Sequence, residues 1–307
     1  MNTKPMQRLH EAINRRLRTN ACQPAGARRG LVIDGPPTVG KSTLVKIFAA
    51  NFEGGLRSAH PERFTPEHVN EGYLVDYVPV VYISVPAEAT PKDLSIAIAE
   101  WLNHPVRPGA TKTHITNMVL KAMRLCGTEL VIIDDVHFLK LSSKEGQVVN
   151  DHLKYLTNHA TATFIYTGHD LSESGLFLEG RARHRATQTS GRNSLYQLQP
   201  FQISTAEERR EWASVVKAME DALLLYRHEP RSLALKHWRY MHERTGGSIA
   251  GLAELIRESA IYACDTGVEA VTPELMNDVV INEDATKRYA ELLKRRTGGG
   301  SSPRRKR

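Results

Sequence analysis

The sequence predicts an α/β fold, a parallel sheet flanked by helices and followed by a small, purely helical region. Three observations carry the prediction. A glycine-rich loop, Gly35 to Thr43, lies between a short apolar run and a segment of helical spacing. The runs Val78–Val85 and Glu129–Asp135 are apolar without an internal charge, as parallel strands buried on both faces must be. Beyond Thr205 such runs give way to helical periodicity with short breaks. No repeat of 20 to 50 residues is visible.

Taken in order, residues 6–19 place Met6, Leu9, Ile13 and Leu17 at helical spacing with arginines on the other faces, and Pro24 and Gly26 end the element. Leu31–Asp34 reads as a strand and Ser42–Ala50 as a helix. Residues 51–77, with Gly54-Gly55, Pro61 and Pro66, read as a long polar connection with room for a small helix. Pro91 opens a helix through Leu94, Ile96, Ile98 and Leu102; a loop from His104 to Thr111 precedes a helix over Thr113–Cys126. Residues 146–158 read as a helix, and 161–166 as a strand ending at Thr167-Gly168. Gln197–Gln199 is expected to close the sheet, with helices following at 205–225, 230–245, 248–264 and 272–283. The expected organisation is a basic N-terminal helix (1–30), an α/β nucleotide-binding domain (31–203), a helical lid (204–293) and a basic, disordered tail (294–307).

With 307 residues and 41% hydrophobic content the chain has ample core for one large domain and a smaller one. No apolar run approaches the roughly 20 residues that span a bilayer, and the N-terminus lacks a signal-peptide core. The expectation is a cytoplasmic protein with no membrane partner. Its three cysteines, far apart in the sequence, suggest neither a disulfide framework nor a metal site. The net charge of +7 is unevenly placed: residues 1–30 carry a net +6 and residues 294–307 a net +7, so the body between them is net −6. Basic ends on an acidic body suggest contact with a polyanion, most simply nucleic acid; a solvated helix and tail are the alternative.

The loop Gly35-Pro36-Pro37-Thr38-Val39-Gly40-Lys41-Ser42-Thr43 meets the phosphate-binding pattern G-x-x-x-x-G-K-[ST] at every fixed position. Its glycines let backbone N–H groups turn toward phosphates, Lys41 offers charge to the β/γ oxygens, and Ser42 offers a hydroxyl to Mg²⁺. The expected ligands are ATP and Mg²⁺. At the carboxyl end of the acidic strand, Asp134 is the candidate for the metal shell and Asp135 for the attacking water. The base-reading N-K-x-D of GTPases and the L-S-G-G-Q of transporter ATPases are both absent. Thr167, at the end of the strand after the acidic one, occupies the place where the AAA+ class of P-loop NTPases keeps a water-orienting polar residue; a plain turn is the alternative. Arg181 and Arg183, in the basic cluster before the last strand, are candidates for an arginine finger acting on a neighbouring subunit, against an exposed basic loop or a DNA contact.

Residues 78–102 (VPVVYISVPAEATPKDLSIAIAEWL), 126–140 (CGTELVIIDDVHFLK) and the segment ATFIYTGHDL resemble the TniB/TnsC group of AAA+ ATPases, relatives of MuB and IstB that regulate DNA transposition. The resemblance spans about residues 5–200. It implies ATP-dependent oligomerisation, as a ring or helical filament, on double-stranded DNA, together with a transposase and a target-selection protein as partners and a nucleoid-associated location. The positions matching that family's inward-facing surface are Arg107, Lys112 and Thr113, and then Lys140 to Lys144, where lysines and a hydroxyl suit phosphates without reading bases. Three features depart from the family pattern: Asp135 stands where Glu is usual, the loop reads P-P-T-V-G, and no arginine opens the helix near Ser248. Two other functional classes remain open: a helicase- or initiator-loading ATPase of the IstB/DnaC kind, and a signalling NTPase switch that does not bind DNA.

Overall fold

A computed structural model describes residues 3–24, 26–139, 144–171 and 193–298, with the side chains of 144–147, 284 and 296–298 left aside. The described residues fall into two compact units. One comprises Pro5–Pro37 and Lys41–Leu198; the other comprises Met1–Lys4, Thr38–Gly40 and Gln199–Arg307.

In the first unit, helix α1 (Lys4–Ala21) buries Leu9 and Ile13 completely. Strand β1 (Gly30–Asp34) leads into the glycine-rich loop and helix α2 (Lys41–Ala59). This helix runs nine residues beyond the expected Ala50, through Gly54 and Gly55, whose missing side chains face open space. Two glycines cost about 1 kcal/mol each in a helix interior. Phe48 and Phe52 stacked one turn apart, and the Glu53–Arg57 pair at 2.6 Å, act on the same turns in the opposite sense. The rest of the polar connection holds a short hairpin, β2 (Val69–Asn70) and β3 (Tyr73–Leu74), turned at Glu71-Gly72 where both φ angles are positive.

Strand β4 (Val80–Ser84) precedes helix α3 (Pro91–Trp101), which starts on a capping box between Thr90 and Asp93 with Pro91 in its first turn. Helix α4 (Lys112–Leu125), strand β5 (Leu130–Asp134), helix α5 (Lys144–His159) and strand β6 (Thr163–Gly168) follow. The last strand is β7 (Asn193–Gln197), four residues earlier than the expected Gln197–Gln199. The expected position fails because β7 is a half-exposed edge strand with Leu195 turned outward, so its apolar signal is weak. The Leu198 N–H still donates to Asp34 O at 2.8 Å, which carries the ladder one step past the strand. All five strands are parallel, in the order β4-β5-β6-β1-β7. Leu94, Ile98, Ile115, Val119 and Leu156 pack with Val81, Val131 and Phe164 in the main core.

The second unit is helical: α6 (Ala206–Glu220), α7 (Trp238–Thr245), α8 (Ile249–Asp265), α9 (Pro273–Asp278) and α10 (Glu283–Gly298). Helix α6 ends at Glu220, short of the expected 225, and the buried Glu220 carboxylate accepts the Leu233 and Ala234 N–H groups at 2.9 and 3.0 Å. Its core is built on Trp212, whose indole N–H donates to Trp238 O, and on Arg244, whose buried guanidinium holds Met276 O and Val279 O. Ser248 caps α8, and its hydroxyl also donates to Thr38 O at 3.0 Å within the same unit. Helix α10 has no counterpart among the expected elements and takes in residues 294–298, part of the expected tail.

One buried histidine makes the stability of the first unit sensitive to acid. His152 on α5 is 5% exposed and its Nε2 lies 2.9 Å from Ser95 Oγ. Burial, reinforced by the nearby Lys112 charge, lowers its pKa to about 4. The unfolded imidazole titrates near ~6.5, so the unfolded state binds the extra proton first and stability falls as pH drops from about 6.5 to about 4. Urea denaturation at pH 5 against pH 7 should show a loss of about 2 kcal/mol that a His152→Gln variant lacks. An equal loss in the variant would place the acid sensitivity elsewhere.

Candidate nucleotide site

The sheet order places strand β6 between the strand that feeds the glycine-rich loop and the acidic strand. Its register pairs Thr167 with Ile33 and Gly168 with Asp34 on one side, and Tyr166 with Ile133 on the other. Thr167 therefore emerges beside Asp134 at the carboxyl edge, where open α/β sheets take ligands. Both side chains are buried, Asp134 at 1% and Thr167 at 0% exposure. The Thr167 hydroxyl donates to Asp134 Oδ1, the Asp135 N–H donates to the same oxygen at 3.0 Å, and the Tyr82 hydroxyl donates to Oδ2 at 2.5 Å. Burial pushes the Asp134 carboxyl upward, but these bonds and one from Ser42 outweigh it and hold the pKa below the ordinary carboxylate value. Asp134 is therefore a carboxylate at neutral pH, within reach of Ser42.

Tyr82 was not singled out from sequence. Its only signal is a phenol inside the apolar run of β4, two residues before Ser84, which pairs with Asp134. Burial and the bond to Asp134 push its hydroxyl pKa far up, so it stays a donor.

The loop is anchored from below by Asp34, buried, whose Oδ1 accepts the Gly35 N–H at 2.8 Å and the Leu171 N–H at 3.2 Å. Gly35 is required there, since a Cβ would stand 2.4 Å from Leu198 O. Thr38 and Gly40 both have positive φ, 68° and 88°, and the strained Thr38 marks a backbone shaped by something other than its own preference. Pro36, Pro37 and Thr43 are exposed, and Val39 is buried. The Lys41 ammonium donates to Gly35 O and Pro36 O at 2.8 Å each. Desolvation lowers its pKa, while Asp134, Asp34, Asp135 and Asp170 pull it back up. One cation facing four carboxylates, beside backbone donors, has the donor set that a triphosphate and a divalent ion require together. Among the described residues no group of three or more His, Cys, Asp and Glu could hold a metal by itself. A hydroxyl and a single carboxylate suit Mg²⁺, which keeps waters and phosphate oxygens in its shell.

Asp135 adopts the left-handed conformation, φ 60° and ψ 34°, and accepts a bond from Ser84 Oγ at 3.0 Å. His137 lies near it, and its ring centroid is 3.8 Å from that of His169; the sequence analysis names neither histidine. Burial and His169 lower the His137 pKa. The expected DNA contacts that the structure describes line two cavities. Lys112 and Thr113 open α4 and line a cavity of about 430 Å³ with Thr116, Asp151, His152 and Tyr155. Arg107 lines a different groove with Lys92, Glu100 and His104. Lys144 is the first residue of α5, its side chain not described; Lys140, Arg181 and Arg183 lie outside the described residues.

A parallel sheet with a strand inserted between the loop strand and the acidic strand, followed by a helical unit, defines a P-loop NTPase fold of the AAA+ class. Solved structures agree on the fold. Cdc6p from Pyrobaculum aerophilum superposes with a TM-score of 0.61 at 13% identity, covering 89% of this chain and 66% of that one. ORC1 of Aeropyrum pernix in complex with DNA gives 0.60 at 18%, covering 97% and 68%. ORC2 of the same organism in its ADP form gives 0.61 at 17%, covering 96% and 74%. A comparison with curated proteins gives no match. The sequence itself matches the family described as Bacterial TniB protein over residues 5–175, and the chain belongs to that family.

The Tyr82–Asp134 bond is testable without any ligand. Tyr82→Phe removes a donor to a buried charge, and urea denaturation at pH 7 should show a loss of about 1.5–3 kcal/mol. An unchanged midpoint would show that the phenol contributes nothing to holding Asp134.

Proposed function

We propose that this protein is an ATP-dependent, DNA-binding AAA+ regulator of transposition, assembling on duplex DNA and linking a target-selection protein to a transposase. Membership of the TniB family supports the biological role. The observation that carries the chemistry is the convergence of Lys41, Ser42, Asp134 and Thr167 at one sheet edge. In this reading residues 35–43 hold the phosphates of ATP, and Ser42 with Asp134 holds Mg²⁺, which when bound neutralises phosphate charge. Asp135 accepts the proton of the attacking water, and Thr167 orients both that water and the Asp134 carboxylate. Arg181 or Arg183 supplies an arginine finger to a neighbouring copy, and Arg107, Lys112, Thr113, Lys140 and Lys144 contact DNA phosphates. The ORC-like neighbours support the fold alone, so they do not favour an initiator-loading role over this one.

Lys41→Ala should weaken ATP binding roughly 100-fold, because about 3 kcal/mol of charge-assisted bonding to phosphate is lost. Full affinity in the variant, measured with a fluorescent ATP analogue, would remove the loop from the nucleotide site. Asp135→Asn should keep ATP affinity while lowering turnover roughly 10- to 100-fold and lengthening the lifetime of the protein on duplex DNA. Wild-type turnover would move the base elsewhere.

A further inference from the structure

A second charged surface lies at the other end of the sheet, built around the buried Asn20. Asn20 is 1% exposed and sits in the last turn of α1. Its side-chain amide donates to Arg29 O at 2.8 Å and to Thr163 Oγ1 at 3.0 Å, and its carbonyl oxygen accepts the Arg29 N–H at 3.0 Å. Two of these bonds clamp the segment before β1 against the end of the helix, and the third ties the helix to β6. The clamp brings Arg29 close enough to Arg16, one turn before Asn20, that the two guanidiniums repel. Burial first, and Arg29 second, lower the Arg16 pKa. Arg16 also donates to Ser194 Oγ at the start of β7, and Arg28 to Gln23 O at 3.2 Å.

Arg8, Arg15 and Arg18 lie within one face of α1, at spacings of seven and three residues, and are exposed, as is Arg29. Among the described residues no carboxylate forms an ion pair with Arg8, Arg15, Arg16, Arg18, Arg28 or Arg29. Glu11, the single acidic residue of 1–30, lies beside Tyr196 with Arg8, away from Asn20. Five cations, Arg15, Arg16, Arg18, Arg28 and Arg29, gather at this end of α1 with no carboxylate ion-paired to them among the described residues, and two of them are pressed together, so the surface suits an extended anion. Arg15, Arg16, Arg18, Arg28 and Arg29 lie toward the amino ends of the strands, where Asn20 meets Arg29 and Thr163, opposite the edge that carries Asp134 and Lys41; Arg8 lies toward the other end of α1, beside Tyr196.

We infer that this arginine surface is a second, nucleotide-independent contact for the phosphodiester backbone of nucleic acid. The anion is a nucleic acid rather than an acidic peptide because the surface has repeated cations and small polar neighbours (Asn14, Thr19, Gln23), whereas the α1 apolar side chains Leu9 and Ile13 are buried and leave no anchor for a peptide. The inference deepens the DNA-binding part of the proposed function, but it separates that binding into two surfaces.

The test uses the full chain and a triple variant, Arg15→Gln with Arg18→Gln and Arg29→Gln, all at exposed positions. Binding to a mixed-sequence duplex of about 30 base pairs is followed by anisotropy between about 50 and 200 mM salt, with ATP and with ADP. The slope of log K against log salt should become shallower by about 2 to 3, with Kd raised at least roughly tenfold, equally in both nucleotide states. The matching Arg→Lys triple should restore the slope. A wild type that binds only with ATP, and a variant with an unchanged slope, would overturn this surface and leave the proposed function standing. Wild-type binding that is indifferent to nucleotide and lost in the variant would support the surface and overturn ATP dependence. No duplex binding by the wild type would overturn both, and polyglutamate that competes as well as the duplex at equal charge would reassign the surface to an acidic protein.

Discussion

The site depends on one buried carboxylate that must stay charged. Asp134 is 1% exposed, a place where an isolated carboxylate would neutralise itself. It remains ionised because donors arrive from three directions: Thr167 from β6, Tyr82 from β4, and the backbone N–H of Asp135. Two of these come from neighbouring strands, so the order of the sheet is a condition of the chemistry. If β5 lay beside β1, as a simpler winding would have it, no hydroxyl from β6 could stand between the loop and the acid. The same register that seats Thr167 against Asp134 also brings Gly168 beside Asp34. The two buried aspartates are thus tied to opposite sides of one strand.

The glycine-rich loop is held by the same logic of satisfied polar groups. Asp34 fixes where it begins by taking two backbone N–H groups, and Gly35 leaves room for the Leu198 carbonyl. Lys41 occupies the loop's own carbonyls under the pull of four carboxylates. One ammonium against four carboxylates leaves this edge net negative, suited to a divalent cation, whereas at the opposite edge the arginines around Asn20 leave it net positive. On the proposed reading, one end of the sheet takes a nucleotide with its metal ion and the other an extended polyanion.

Much of this was legible in the chain. A G-x-x-x-x-G-K-[ST] loop between a strand and a helix has few other uses, and an uninterrupted apolar run ending in Asp134-Asp135 announces a buried parallel strand. The resemblance to a transposition family was carried by residues 78–102 and 126–140 and the segment ATFIYTGHDL, and the match over residues 5–175 agrees with it. Elements with weak apolar signals were harder. β7 is half exposed, α10 is largely solvent-facing, and α2 continues through two glycines that local propensity would use as a stop.

What the sequence determined by itself, then, were the groups whose partners lie close by in the chain: the phosphate-binding loop, the strand that presents two carboxylates, and the helix that Pro91 opens. Their signals are local because the backbone geometry they need is set within a few residues. Tertiary structure alone decided which distant side chains meet them. Tyr82 stands 52 residues from Asp134, Thr167 stands 33 from it, and Asn20 reaches Thr163 across 143. Such pairs leave no period or spacing in the chain, because their proximity is produced by strand order and register, and those are settled only when the whole core packs.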